Sequence, residues 1–124
     1  MDRTGIADEI EPIELDVSVA LRTQTVIGES PIWDERTEEL NFVDIAGGEV
    51  HVFRPSDGRH RVFRLPEMVT SVSLRERGGF VLTLTKAFAF FDPETGDLEI
   101  LDDPEPDRAG NRFNDAQVDP QGRL

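Results

Sequence analysis

The chain has 124 residues, no cysteine, and 26 acidic against 13 basic side chains, a formal net charge of −13. That length suits one domain with a core of its own. The charge repels phosphate backbones and argues against nucleic acid as a partner. The missing thiols exclude disulfides, thiolate catalysis and cysteine-based zinc sites.

Residues 1–14 are polar and acidic and predict a flexible terminal arm. No basic start followed by an apolar run marks a leader, and no segment stays apolar long enough to span a bilayer, so the expectation is a cytoplasmic protein without membrane contact. From residue 15 onward the sequence reads as short strands divided by turn chemistry. Leu15–Val19 alternates apolar and polar and predicts a first strand. Ile32-Trp33 and Leu40–Ile45 flank the polar run 34–39 as a hairpin with a longer loop. Val50–Phe53 runs into Arg54-Pro55-Ser56-Asp57-Gly58, and Phe88–Phe91 runs into Asp92-Pro93-Glu94-Thr95-Gly96, the same turn 38 positions later. Between them, Val72–Leu74 and Phe80–Thr85 flank a Gly78-Gly79 turn.

Gln117-Val118-Asp119 before Pro120-Gln121-Gly122 begins the pattern a third time. Trp33, Leu74 and Val118 occupy equivalent pre-turn positions, 41 and 44 residues apart. Such a period, with about four strands per unit, fits propeller blades. A sandwich with two similar hairpins stays open on spacing alone. Pro and Gly interrupt every long window, which leaves no room for helix.

Most titratable side chains have a bland reading. His51 and His60 lack a second histidine at ligand spacing and read as packing or surface groups, and Trp33 reads as a core anchor between sheets. Asp34, Asp44, Asp92 and Asp119 border turns, where aspartate bonds local backbone. Asp102–Asp107 is an acidic, proline-broken loop and a candidate pocket rim. Neither a Ser/His/Asp triad nor a phosphate-binding glycine loop can be assembled.

Two motifs stand apart from this background. Gly28-Glu29-Ser30-Pro31-Ile32-Trp33-Asp34 followed by Leu40-Asn41-Phe42-Val43-Asp44-Ile45, and Asn111-Arg112-Phe113-Asn114-Asp115 followed by Val118-Asp119-Pro120, resemble the N-terminal signatures of the regucalcin/gluconolactonase (senescence-marker-protein) family. Ala116 departs from that pattern, where glycine is frequent. The resemblance runs from about Val17 to Leu124 and implies an all-β, six-bladed propeller with one divalent metal, calcium or zinc, at the channel mouth. It also implies hydrolysis of sugar lactones. Glu29 matches the metal-binding glutamate, and Arg112 and Asn114 match substrate-binding residues. A glutamate is a hard oxygen ligand of the kind calcium accepts, and a metal so held polarises a carbonyl and acidifies bound water. The arginine fork and the asparagine amide suit a polyhydroxylated ring.

The resemblance also implies an asparagine and an aspartate from later blades as further metal ligands, the aspartate being the favoured proton acceptor. Residues 15–124 are thus expected to form the first two to three blades of an incomplete domain, with no catalytic residue inside the chain. The remainder of the propeller or a second chain is needed to close it, and the piece alone should be inactive and prone to aggregate through open edges. The alternative function is a non-catalytic calcium- or protein-binding scaffold.

Overall fold

The computed structural model describes residues 12–124. Valine, isoleucine and phenylalanine fill its extended runs, and glycine-bearing turns end them, so the chain has eight strands and no helix among the described residues. The first sheet holds β1 (Gly28–Asp34), β2 (Glu39–Asp44), β3 (Glu49–Arg54) and β4 (Arg59–Arg64); the second holds β5 (Val69–Leu74), β6 (Phe80–Leu84), β7 (Phe88–Phe91) and β8 (Leu98–Ile100). Both are antiparallel meanders in simple chain order, which makes each a blade. The recurring Pro/Gly turns lie at matching places, between β3 and β4 and between β7 and β8.

Alternation along the strands decides what lies between the blades. Val43, Val50 and Val52 of the first sheet pack with Val69, Val72, Leu82 and Leu84 of the second in one buried cluster. At the rim of this interface Arg36 donates from Nη1 to the carbonyls of Arg75 (3.0 Å) and Glu76 (3.3 Å), while Asp34 grips the same guanidinium from below at 3.0 Å. Arg61 bridges from β4 to Glu94 at 2.9 Å and to the buried Glu39 at 3.4 Å. Asn41, 1% exposed, also faces inward, and both its amide oxygen and nitrogen lack a partner.

Two glycines have specific reasons. A Cβ at Gly47 would lie 2.6 Å from an Asp44 carboxylate oxygen, and Gly79 has φ +71 with the Phe91 carbonyl 2.8 Å from where a Cβ would sit.

Three expectations change. Leu15–Val19 lies outside every sheet, its apolar side chains exposed, because no described strand offers it a ladder of hydrogen bonds. The expected arm is described only from residue 12, and residues 1–11 lie outside the described part. Trp33 does not lie between the two described sheets: it pairs with Leu40 on the face of the first sheet turned from the second and is 45% exposed. The third turn does form, with Asp119 N–H donating to Arg123 O at 2.8 Å, but no strand flanks it.

Candidate functional site

Glu29 lies on β1 immediately before a break in register: Glu29 pairs with Val43, and pairing resumes only at Ile32 with Asn41. At the break Ser30 has φ +55, a conformation that costs a non-glycine residue about 1 kcal/mol or more and needs support from its surroundings. The support comes from the other blade. Val72 N–H donates to Ser30 Oγ at 3.0 Å, and the hydroxyl reaches Val72 O at 3.4 Å. A bulge re-aims the side chains beside it, and here a side chain from the first sheet stands in for a ladder partner of β5. Glu29 is thereby held, exposed, at the seam of the two blades.

That seam opens into a cleft of about 430 Å³ whose lining includes Glu29, Ser30, Ile32, Val72, Asp115 and Gln117. Asp44, 3% exposed, secures the approach to β1: its carboxylate accepts from Val26 N (2.9 Å), Ile27 N (3.0 Å) and Gly47 N (3.1 Å). Burial opposes the Asp44 charge, but these donors outweigh it and hold its pKa below the ordinary 3.8. The other turn aspartates also bond local backbone: Asp34 holds Arg36 N, Asp92 holds Glu94 N, and Asp119 holds Gln121 N and Arg123 N.

Arg112 and Asn114 lie on the irregular, exposed segment after β8. Phe113 anchors it, donating its N–H to Thr85 O at 3.0 Å and packing its ring 4.9 Å from that of Phe88. Arg112 donates to Phe113 O at 2.7 Å and lines a separate cavity of about 100 Å³ with Lys86, Asp103, Glu105 and Asn111. The acidic loop thus borders Arg112, as its position suggested. Glu29 and Arg112 do not share a cavity, and Asn114 lines neither. The residue brought together with Glu29 is Asp115, which sequence reading passed over although it belongs to the same motif as Arg112.

The histidines form a stack on the first sheet. His51, 2% exposed, places Nδ1 at 2.9 Å from His60 Nε2 and Nε2 at 3.2 Å from Glu49 Oε2, with its ring 4.5 Å from that of Phe42. Burial, then the charge of His51, holds the His60 pKa below its usual value.

Among the described residues, no three His, Cys, Asp or Glu side chains converge closely enough to hold a metal by themselves. The cleft does present hard oxygen donors suited to calcium: neither Glu29 nor Asp115 is in an ion pair among the described residues. These residues therefore fit part of a ligand shell.

Two four-stranded meanders stacked face to face, with the seam at their first strands, define a protein of the propeller type. The match to known proteins narrows this. Residues 27–124 match the SMP-30/gluconolactonase/LRE-like region, and the chain belongs to that family. It is 39% identical over 98 residues to regucalcin of Xenopus laevis, covering 79% of this chain and 33% of that protein. It is 36% identical over 104 residues to 6-deoxy-6-sulfogluconolactonase of Pseudomonas putida, covering 84% and 36%. Among solved structures, regucalcin from Agrobacterium tumefaciens, described as a calcium-binding protein, superposes with a TM-score of 0.77 at 27% identity, over 84% of this chain and 35% of that one. The chain spans about a third of the length of these relatives. No helix among the described residues is long and apolar enough to cross a membrane.

Proposed function

We propose that the protein carrying this chain hydrolyses sugar lactones with the help of one divalent metal, calcium or zinc, bound at Glu29. The observation that carries the reading is Glu29, without an ion pair among the described residues and placed at the seam of two blades by a strained Ser30 that the second blade holds. Membership of a family that includes a gluconolactonase supports the substrate class.

In this reading Glu29 holds the metal, which when bound polarises the lactone carbonyl and makes a water more acidic. Arg112 supplies a fork of donors to ring oxygens, and the Asn114 amide both donates and accepts. Both lie on a segment held to the second blade by Phe113 N–H on Thr85 O and by Lys86 Nζ on Arg108 O at 2.6 Å, and the reading requires Arg112 and Asn114 to turn toward the Glu29 cleft that Asp115 already lines. Residues 15–124 act as the opening blades of a ring whose further blades supply an asparagine and an aspartate, the aspartate serving also as the general base. A second reading, a calcium-binding propeller without hydrolysis, is favoured by the description of the Agrobacterium relative.

The test is Glu29→Gln in the intact protein. Calorimetry should show metal binding abolished, and hydrolysis of aldonolactones should fall with it. Unchanged metal affinity removes Glu29 from the site, whereas metal binding by the parent protein without turnover of any lactone selects the second reading.

A further inference from the structure

A second cavity, of about 320 Å³, lies between the same two blades at the other end of β1 from Glu29, and it shares no lining residue with the Glu29 cleft. Asp34 and Glu39, on either side of the β1–β2 turn, border it from the first blade, and Phe80 of β6 with Asp92 and Glu94 after β7 border it from the second. Asn41 of β2 borders it too. That side chain is 1% exposed, yet neither Oδ1 nor Nδ2 has a partner among the described residues. A buried amide left so has given up its bonds to water for nothing, so an occupant that restores them is favoured. Arg61 adds to the deficit: its Nε is also buried and unpartnered, while its Nη atoms reach Glu39 and Glu94.

Charge decides which occupant suits. Asp34 is paired with Arg36, Glu39 with Arg54 and Arg61, and Glu94 with Arg61, so these carboxylates have no need of a metal ion. Four carboxylates against the single guanidinium of Arg36 in the lining repel an anion. What remains unmet is a donor and an acceptor on one neutral amide, beside a phenyl ring. A hydroxyl group supplies both counterparts at once. We infer that this cavity binds a small neutral polyol, with Asn41 as the recognising group. Hydroxyls of the ligand donate to Oδ1 and accept from Nδ2, Asp92 accepts from a further hydroxyl, and the carbon chain lies against Phe80. The volume falls in the range of small-molecule sites, about 300–1,000 Å³. The site is independent of the metal reading of Glu29. Water offers the same hydroxyl chemistry on a smaller scale, and the test separates the two.

The probe is erythritol, added to the intact protein while the side-chain amide signals of Asn41 are followed by proton–nitrogen NMR and identified by their loss in Asn41→Leu. Through-bond correlation to the Asn41 backbone gives the same assignment should that variant fail to fold. The expected result is a shift of these signals that saturates, with the same midpoint in Glu29→Gln, and no saturable shift with erythronate, the corresponding acid anion. Signals that stay still, or that drift in proportion to concentration, show that water alone serves the amide, and the inference fails. Saturation by erythronate equal to that by erythritol overturns the neutral class. A midpoint that moves in Glu29→Gln assigns the polyol to the Glu29 cleft and also overturns the inference. Thermal melting gives an independent reading: polyols raise the melting temperature of proteins generally by exclusion from their surface, so only an increment in the parent beyond that in Asn41→Leu supports the site, and equal increments count against it.

Discussion

The two family motifs meet different fates in the same chain. The first, Gly28–Asp34, is a strand with partners on both sides: β2 along its ladder and, through Ser30, the inner strand of the second blade. The second, residues 111–115, carries comparable chemistry but has no strand partner among the described residues and rests on the second blade through Phe113. A motif residue is placed by the elements that pack against it, and the seam between consecutive blades is what places Glu29. The contrast implies that perturbing the support of the first motif should cost stability and binding together, whereas perturbing the second should touch binding alone.

The largest effect expected from breaking this contrast is at Asp44. Its carboxylate gathers three backbone N–H groups, two of them from the approach to β1. Asp44→Ala leaves these donors without their charged acceptor and should destabilise the fold by about 3 kcal/mol, read by chemical denaturation. The pH dependence has a definite sign. Because the folded pKa lies below 3.8, the folded state binds its proton less readily than the unfolded chain. The contribution is complete above that value and disappears as pH falls through the folded pKa. Acid should therefore unfold the parent more steeply below 3.8 than it unfolds Asp44→Ala, and parallel acid curves would remove Asp44 from this role.

A smaller change separates aiming from folding. Ser30→Ala removes the acceptor of Val72 N–H while keeping a side chain at φ +55. The loss should be about 1 kcal/mol of stability, accompanied by weaker metal binding because Glu29 loses its fixed direction. Ser30→Gly tolerates the backbone angle and should recover part of the stability without recovering the affinity. Equal metal affinity in all three proteins would show that the clamp supports the fold and not the site.

How much of this could be read beforehand follows from what each signal encodes. Local chemistry was legible: the matched Pro/Gly turns, the Gly78-Gly79 hairpin and the turn aspartates all concern partners within a few residues, and the structure forms each one. The period near 40 gave the blade, because each blade is one local meander. What failed depended on distant partners. Leu15–Val19 alternates as a strand should, but alternation records a half-buried face and not the strand that must lie beside it. Trp33 reads as an anchor between sheets, but its face is set by the register opposite Leu40, which no residue near it encodes. At the site, Glu29 was visible only through its motif. The Ser30 clamp to Val72 spans 42 residues, and the facing of Glu29 and Asp115 spans still more, so no local pattern carries either.

The least disruptive change tests the other half of the comparison. Arg112 is exposed and donates to the carbonyl of its own neighbour, Phe113, a contact that water can replace. Arg112→Ala should therefore alter stability by no more than about 0.5 kcal/mol, as for surface positions generally. If the proposed function holds, its cost in the intact protein should fall on lactone turnover, because that reading makes the guanidinium the fork offered to the substrate, and calcium affinity should stay as in the parent because Arg112 lines a different cavity from Glu29. A loss of more than about 1 kcal/mol on denaturation would mean that the 111–115 segment is as firmly built into the fold as the first motif. The contrast between supported and unsupported motif would then fail where it makes its sharpest claim.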